Sequence, residues 1–348
     1  MLSPRAGTVL NYIVSQYIAN AAPVSSQSIA DNSGLMVSSA TIRNEVAALE
    51  SEGYIIRPHT SAGNIPSDQA YRCYVDSLEE TLLPQAEQHL VSHLFHQVER
   101  EVERWLSLSA TMVAQLVRNV AVVTMPKAAD CRFKHLELLS LQDRVVLAVV
   151  VLHGARVKEK LIRFDQTVSQ VDLTVISNKL NAAYSGLTSR QISAKEIKLS
   201  SLEQQVTDYM VEMMQSEDEQ EYEEPYLDGL HFTLNQPEFA HSERIRTLME
   251  LLEYRSLLKS IIPKNLSQDK VHVIIGKENE ATAMQNCSVV IRQYGLPDEA
   301  VGTIGVVGPT RMSYSHTIPT VDYLSSVLSG LVAGLYGKEP PPQKETSK

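Results

Sequence analysis

Apolar and polar positions follow a helical period at the start of the chain. Apolar residues recur every three or four positions, which places them on one face of a helix. This period predicts helices over residues 5–19, from Ser25 or Ser26 to Asp31, and from Ser38 or Ser39 to Glu50. A glycine-containing turn, residues 32–34, separates the second and third helices. The order helix, helix, turn, helix is typical of a helix-turn-helix unit.

The third helix has two distinct faces. Its apolar stripe consists of Ile42, Val46 and Leu49. Its polar face consists of Ala40, Arg43, Asn44 and Ala47. Small side chains allow a close approach to a DNA major groove, Arg fits guanine edges and Asn fits adenine edges. Taken alone, the stretch is equally compatible with an ordinary amphipathic helix whose polar side is solvated.

A short hairpin is predicted after this helix. Gly53 ends the helix, and residues 54–57 and 65–66 have strand character on either side of a turn at 60–64. Ser67 then caps a further helix. The hairpin occupies the place of the wing in a winged helix, although a plain structural β-turn has the same pattern. The predicted DNA-contacting residues are Ser38, Ser39, Thr41, Arg43, Asn44, Arg57, His59, Ser61 and Asn64.

The period changes twice in the rest of the chain. The pattern predicts two helices within residues 83–123, followed by strands at 133–141, Val145–Leu152 and 157–164. Helices are then predicted at 171–184, 202–214 and 242–262. Strands return at 271–275, 288–294 and 301–307, and a closing helix is predicted at 323–335. Val145–Leu152 is wholly apolar and is predicted to be buried on both faces. Strands, then helices, then strands predict an α+β domain interrupted by an insertion.

Two blocks carry a resemblance to a known family. The first includes VSSATIRNE (37–45), Leu49-Glu50, Gly53, PHTSAG (58–63), Ile65-Pro66 and residues 71–76, and the second includes VGTIGVVGPTRM (301–312), Tyr314 and Ile318-Pro319. They resemble the HrcA family of bacterial heat-inducible transcription repressors. The chain departs from the family pattern at Ser25 and Gln27, where Gly and Lys are common, at Asn64, where Arg is common, and at Cys73, where an aromatic residue is usual.

The resemblance implies a multidomain α+β chain. It implies a winged helix-turn-helix domain over residues 1–80, a linker helix over 81–105, and a GAF-like domain over 106–165 and 266–337. An inserted dimerisation domain over 166–265 and a disordered tail over 338–348 complete the expected layout. The resemblance also implies a homodimer on the inverted-repeat operator called CIRCE and a dependence on the GroEL chaperonin.

Charge restricts how such a chain could bind DNA. The net charge of the 348 residues is −10, and the first lysine is Lys127. A broad basic patch is therefore excluded from the N-terminal part. Binding would rely on helix N-termini, hydroxyls and a few arginines. The longest apolar run is too short to span a bilayer, and no signal peptide is recognisable, so we expect a cytoplasmic protein without a membrane partner.

Other candidate sites are weaker. His89, His93 and His96 share a helical face, but no further ligand completes a metal site, so a solvated face is expected. Residues 217–225 form an acidic run, which is typical of a solvated loop, with a basic partner as the alternative. Gly302, Gly305 and Gly308 suggest close packing in a strand more than a phosphate loop. No catalytic motif is present, and we predict no enzyme activity, no metal and no cofactor.

The residues and their resemblance to the HrcA family together predict a DNA-binding repressor. The resemblance further implies that its targets are chaperone operons of the groEL/groES and dnaK type, that it binds the operator as a dimer, and that it is inactivated by heat and depends on GroEL. Two alternatives remain: a winged-helix regulator gated by a small molecule in the GAF-like domain, and a dimeric adaptor that does not bind DNA.

Overall fold

The computed structural model describes residues 2–35, 37–59, 62–79, 81–98, 101–127, 131–153, 157–219, 224–239, 262, 266, 270–297 and 299–339. Parts of four sequence predictions lie outside these residues. They are Ser61 of the DNA-contacting set, residues 220–223 of the acidic run, residues 242–261 of a helix, and residues 340–348 of the tail.

The N-terminal unit contains four helices and a hairpin: α1 (Pro4–Asn20), α2 (Ser26–Asn32), α3 (Ser39–Ser51), β1 (Ile55–Ile56), β2 (Ile65–Pro66) and α4 (Asp68–Asp76). Each of these helices begins beside a serine whose hydroxyl accepts a hydrogen bond from a backbone N–H of the first turn. The four caps are Ser3, Ser25, Ser38 and Ser67. Such a cap satisfies an N–H group that a helix leaves free at its start. Many hydroxyls of this unit therefore serve the fold itself.

The remaining elements, in chain order, are α5 (Gln85–Gln97), α6 (Val102–Val117), β3 (Val120–Val123), β4 (Phe133–Gln142), β5 (Val145–Leu152), β6 (Val157–Arg163), α7 (Gln170–Tyr184), α8 (Ser189–Ala194), α9 (Ser201–Glu219), β7 (Tyr226–Asp228), α10 (Leu230–Leu234), β8 (His272–Ile275), β9 (Cys287–Leu296), β10 (Ala300–Pro309) and α11 (Tyr314–Leu335). They form a five-stranded antiparallel sheet of order β7-β3-β10-β9-β8 and a three-stranded meander β4-β5-β6. Helices α6 and α11 pack on the five-stranded sheet.

One strand of the larger sheet was wrongly predicted as helix, and another was not predicted. The helical stretch expected to reach residue 123 ends at Val117, where Arg118 takes a left-handed backbone conformation with φ of 57°. The valine-rich segment that follows becomes β3, between β10 and β7, because β-branched side chains fit a pleated sheet. Strand β7 was missed because it contains only three residues.

The closing helix α11 begins at Tyr314 and not near residue 323 as predicted. Pro319 obscured this start, since proline is usually excluded from a helix interior. Pro319 lies early in α11 and has no N–H to donate to the carbonyl of Ser315, four residues before it. The hydroxyl of Thr81 approaches that carbonyl at 3.5 Å. The helix is long and apolar enough to cross a membrane, but half of its most apolar 18-residue segment is buried in the protein.

Strands β4–β6 share a hydrophobic core with α7, α8 and α9, separate from the core of the larger sheet. This second core runs from Cys131 to Met214. The domain boundary predicted between residues 165 and 166 therefore falls inside it and needs correction: the strands belong with the helices that follow them. Strand β5 is also not buried on both faces, because its residues alternate between buried and half-buried.

Candidate nucleic-acid interface

The start of helix α3 is fixed by two hydroxyls. The Ser38 Oγ accepts a hydrogen bond from the Thr41 N–H at 3.2 Å, and the two side-chain oxygens lie 3.0 Å apart. Both hydroxyls thus stabilise the helix N-terminus, while Ser39 occupies its first position. The free N–H groups at this end and the helix dipole favour an anion such as a phosphate.

The outward face of α3 presents one arginine and one amide between small side chains. Ile42, Val46 and Leu49 are almost fully buried, whereas Ala40, Arg43, Asn44 and Ala47 are exposed. Among the residues that the structure describes, Arg43 has no ion-pair partner. An exposed, uncompensated guanidinium beside an amide is the arrangement that can read base edges in a major groove.

Helix α3 is held against α1 by an ion pair that the sequence analysis missed. The Arg5 Nε donates to Glu45 Oε1 at 2.6 Å, and Glu45 is mostly shielded from solvent. This contact neutralises a carboxylate next to the Arg43–Asn44 face. Nothing in the local sequence pattern marks the pair, because its members are 40 residues apart.

The predicted DNA-contacting residues of the hairpin differ in their exposure and in their partners. Arg57 is half-buried and forms an ion pair with Glu50 at 3.2 Å, and His59 is exposed. Asn64 is only 2% exposed, and its Nδ2 donates to the carbonyl of Val24 at 2.8 Å. Its backbone also forms a β-bridge with Val24. We therefore correct the expectation for Asn64: its side chain joins the hairpin to the segment before α2 and does not face DNA.

The three glycines of β10 permit close packing, as predicted. A Cβ added at Gly302 would lie 2.4 Å from the Tyr294 ring, and one at Gly308 would lie 2.4 Å from the Asn119 side chain. Within the described ranges, no group of three or more His, Cys, Asp or Glu residues is arranged to hold a metal ion.

Comparison with known proteins decides the family. The HrcA protein C-terminal domain matches residues 103–318. A heat-inducible transcription repressor HrcA from Dehalococcoides mccartyi is 53% identical over 340 residues, covering 98% of this chain and 99% of the relative. The chain belongs to the HrcA family. Another HrcA repressor, from Herpetosiphon aurantiacus, is 38% identical and covers 97% of each chain.

The fold of this HrcA-family chain also has a structural counterpart. A crystal structure described as that of a hypothetical protein matches it with a TM-score of 0.59 and 24% identity, covering 96% of this chain and 98% of the other. The match supports the mixed α and β architecture described above.

Within the described part of the chain, helices α7–α9 cover one face of the β4–β6 meander and leave the other face exposed. Residues whose side chains alternate with the buried set form this face, which we call the open sheet face. Its central row is Leu139, Leu147 and Leu161, which are direct neighbours across the three strands. Leu161 is 63% exposed. Apolar side chains exposed together in this way mark an interaction surface.

A cavity of about 430 Å³ lies between the N-terminal unit and the larger sheet. Its lining is mixed: Arg72 and Lys270 lie among Asp76, Glu79 and Asp322, and burial lowers the pKa of His272, so this side chain is neutral at neutral pH. This balance favours no single class of charged ligand.

Proposed function

We propose that the chain is a DNA-binding transcription repressor that binds an inverted-repeat operator of the CIRCE type as a homodimer. The N-terminal unit acts as a winged helix in this proposal, with α3 as the recognition helix and the β1–β2 hairpin as the wing. The observation that carries it is the exposed Arg43, which forms no ion pair with any described residue, beside Asn44 on a helix with a capped N-terminus. Membership of the HrcA family supports the same function.

Each contact with DNA follows from the position of a side chain. Arg43 and Asn44 read bases, while Ala40 and Ala47 let the helix approach the groove. The N-terminus of α3, with Ser38, Ser39 and Thr41, positions the helix on a phosphate. Arg57 and His59 reach the backbone from the wing. Such contacts can replace the basic patch that this acidic chain lacks.

The open sheet face is the dimer surface in this proposal. A palindromic operator requires two recognition helices related by a two-fold axis. The exposed apolar row on the β4–β6 sheet could be buried against the same row of a second copy in an isologous contact. We accordingly assign residues 131–219 to the inserted dimerisation domain, and the larger sheet with α6 and α11 to the GAF-like domain.

The same surface supports a heat-dependent mechanism. When the dimer separates, each copy exposes the apolar side chains of the open sheet face, and exposed apolar surface favours aggregation and chaperone binding. We propose that heat lowers the dimer population, that the GroEL chaperonin restores it, and that chaperone operons are expressed in the meantime. The protein then acts in the cytoplasm and performs no catalysis.

The base-reading role of Arg43 is tested by fluorescence anisotropy on an inverted-repeat duplex at fixed salt. Arg43→Ala is expected to weaken binding by about 1–3 kcal/mol, because a guanidinium contact to a base is lost. The matched control is Arg190→Ala, which removes the same charge from an exposed position on α8. Equal affinity of the two variants and the unchanged chain would contradict the assignment.

The cavity beside Arg72 is the observation that favours the small-molecule alternative. A regulator of that kind would change its operator affinity when a metabolite mixture is added to the purified protein. The adaptor alternative instead predicts equally weak binding to operator and scrambled duplexes, with the dimer intact.

A further inference from the structure

Helix α4 connects the N-terminal unit to the larger sheet through two side chains. Asp68 and Arg72 are four residues apart and therefore lie on one face of the helix. The Asp68 Oδ2 accepts a hydrogen bond from the Lys277 N–H at 3.0 Å. Arg72 donates to the Val273 carbonyl at 2.6 Å. We call this contact region, between α4 and residues 273–278, the α4 junction.

The turn that follows β8 is shaped for this contact. Gly276 has a φ of +52°, and a Cβ added to it would lie 2.3 Å from the Asp68 carboxylate. The carboxylate therefore packs directly on the backbone, where a larger residue would displace it. Such close approach is a position that requires glycine.

A bidentate ion pair completes the junction. The Arg72 Nε donates to Glu278 Oε1 at 2.8 Å, and an Arg72 Nη contacts the second carboxylate oxygen. The Ile275 N–H also donates to Glu278 at 2.8 Å, so the carboxylate is held by its own loop as well as by Arg72. Bidentate pairs of this type fix geometry as well as contributing energy.

The electrostatic environment agrees with this geometry. The hydrogen bond to Glu278 raises the pKa of Arg72, against the effect of burial. Burial favours a higher pKa for Glu278, but the hydrogen bonds from Arg72 and Ile275 and the charge of Arg72 outweigh it, so the pKa of this carboxyl is lowered. Both groups are therefore charged over the neutral pH range.

The junction restrains the recognition helix through the N-terminal unit. Helix α4 packs on α1, and α1 packs on α3 and is joined to it by the Arg5–Glu45 pair. A second attachment lies at the end of α1, where Arg311 donates to the Ile18 carbonyl at 3.3 Å. The orientation of α4 relative to the sheet therefore fixes the orientation of α3 as well.

We propose that Asp68, Arg72 and Glu278 are positioning residues for DNA recognition. They fix the direction of α3 relative to the body of the protein, and hence the half-site spacing that the dimer accepts. A dimeric helix-turn-helix protein needs its two recognition helices about one DNA turn, or a multiple of it, apart. The inference rests on the proposed function, because it concerns how that function selects its operator.

The test measures binding to duplexes whose half-sites are separated by different spacers. The full-length chain is expected to prefer one spacer by about tenfold or more over spacers changed by two base pairs, because the helices are held at one separation. Arg72→Ala is expected to reduce this preference to about threefold or less, with binding to a single half-site unchanged. Arg72→Lys keeps a positive charge and N–H donors beside Glu278 and should retain more of the preference than Arg72→Ala.

A matched variant and a fold measurement keep the result interpretable. Arg190→Ala removes an exposed arginine away from the junction and should retain the spacer preference. Thermal unfolding establishes that each variant is folded. An unchanged spacer preference in Arg72→Ala would overturn the proposal. A uniform loss of affinity that includes the single half-site would also overturn it.

Amide hydrogen exchange separates this inference from the proposed function. If the unchanged chain binds no inverted repeat, the proposed function fails, and the exchange rate of the Lys277 N–H decides whether the junction forms. Faster exchange in Arg72→Ala, by about tenfold or more, supports the junction, because local opening sets the exchange rate. An unchanged rate overturns it.

Discussion

Two tyrosines in contact near the α4 junction differ in how their hydroxyl groups are satisfied. The rings of Tyr71 and Tyr314 lie 6.1 Å apart. The Tyr314 hydroxyl is 2.7 Å from Ser288 Oγ and 2.6 Å from the Thr310 carbonyl oxygen. The buried Tyr71 hydroxyl has no hydrogen-bond partner in the described part of the chain. Burial raises the pKa of both groups, so both stay protonated at neutral pH.

This difference predicts opposite results for the same substitution. Tyr314→Phe should lower the free energy of unfolding by about 1–2 kcal/mol, because the Ser288 hydroxyl and the Thr310 carbonyl each lose a hydrogen-bond partner. Tyr71→Phe should leave stability unchanged or raise it by up to about 1 kcal/mol, because it removes an unsatisfied buried hydroxyl. Urea denaturation followed by circular dichroism measures both. A larger loss for Tyr71→Phe than for Tyr314→Phe would contradict the assignment.

Some residues of the candidate site could be placed from sequence and others could not. The 3.6-residue period correctly separated the buried Ile42 stripe from the exposed Arg43 and Asn44 face. Asn64 was misplaced because burial of a polar side chain depends on a partner in another segment, here Val24. Arg5 was overlooked for the same reason, since its partner Glu45 is distant in sequence.

At the scale of elements, the sequence predicted best the segments that carry an uninterrupted apolar period. Helices α1–α3 and α7 and the β4–β6 strands were expected close to where they occur, because several apolar residues define each period. Strand β3 was not, since it follows the helical period of α6 directly, and β7 was not, since its three residues define no period. Strands β4–β6 and helices α7–α9 form one hydrophobic core, and this grouping depends on long-range packing that a local sequence pattern does not show.

The open sheet face gives a prediction at this scale. Leu161→Glu should weaken the proposed homodimer by about tenfold or more, because a charge replaces an apolar side chain that the proposed interface would bury. Val171→Glu is the matched control: Val171 is 74% exposed but belongs to α7, which packs on the other face of the sheet. Sedimentation equilibrium measures both dimer constants.

Two outcomes would contradict this surface assignment. A dimer that is unaffected by Leu161→Glu would exclude the open sheet face. A dimer weakened only by Val171→Glu would place the interface on the outer side of α7 instead.

For the whole molecule, the central question is how a chain with a net charge of −10 binds DNA. Non-specific attraction to phosphates should be weak, because few cations neutralise phosphate charge at the proposed interface. In the proposed dimer, recognition then depends on the fit of two α3 helices to two half-sites, which the proposed dimer surface and the α4 junction would hold in place. Affinity would then come chiefly from correct geometry and base contacts.

The most direct test is a titration of the unchanged full-length chain by fluorescence anisotropy, on a CIRCE-type inverted repeat and on a scrambled duplex of equal length. We expect binding to the repeat to be about a thousandfold or more tighter than binding to the scramble, as for specific protein–DNA complexes. Equal, weak binding to both duplexes, by a folded dimer and with GroEL present, would contradict the proposed function.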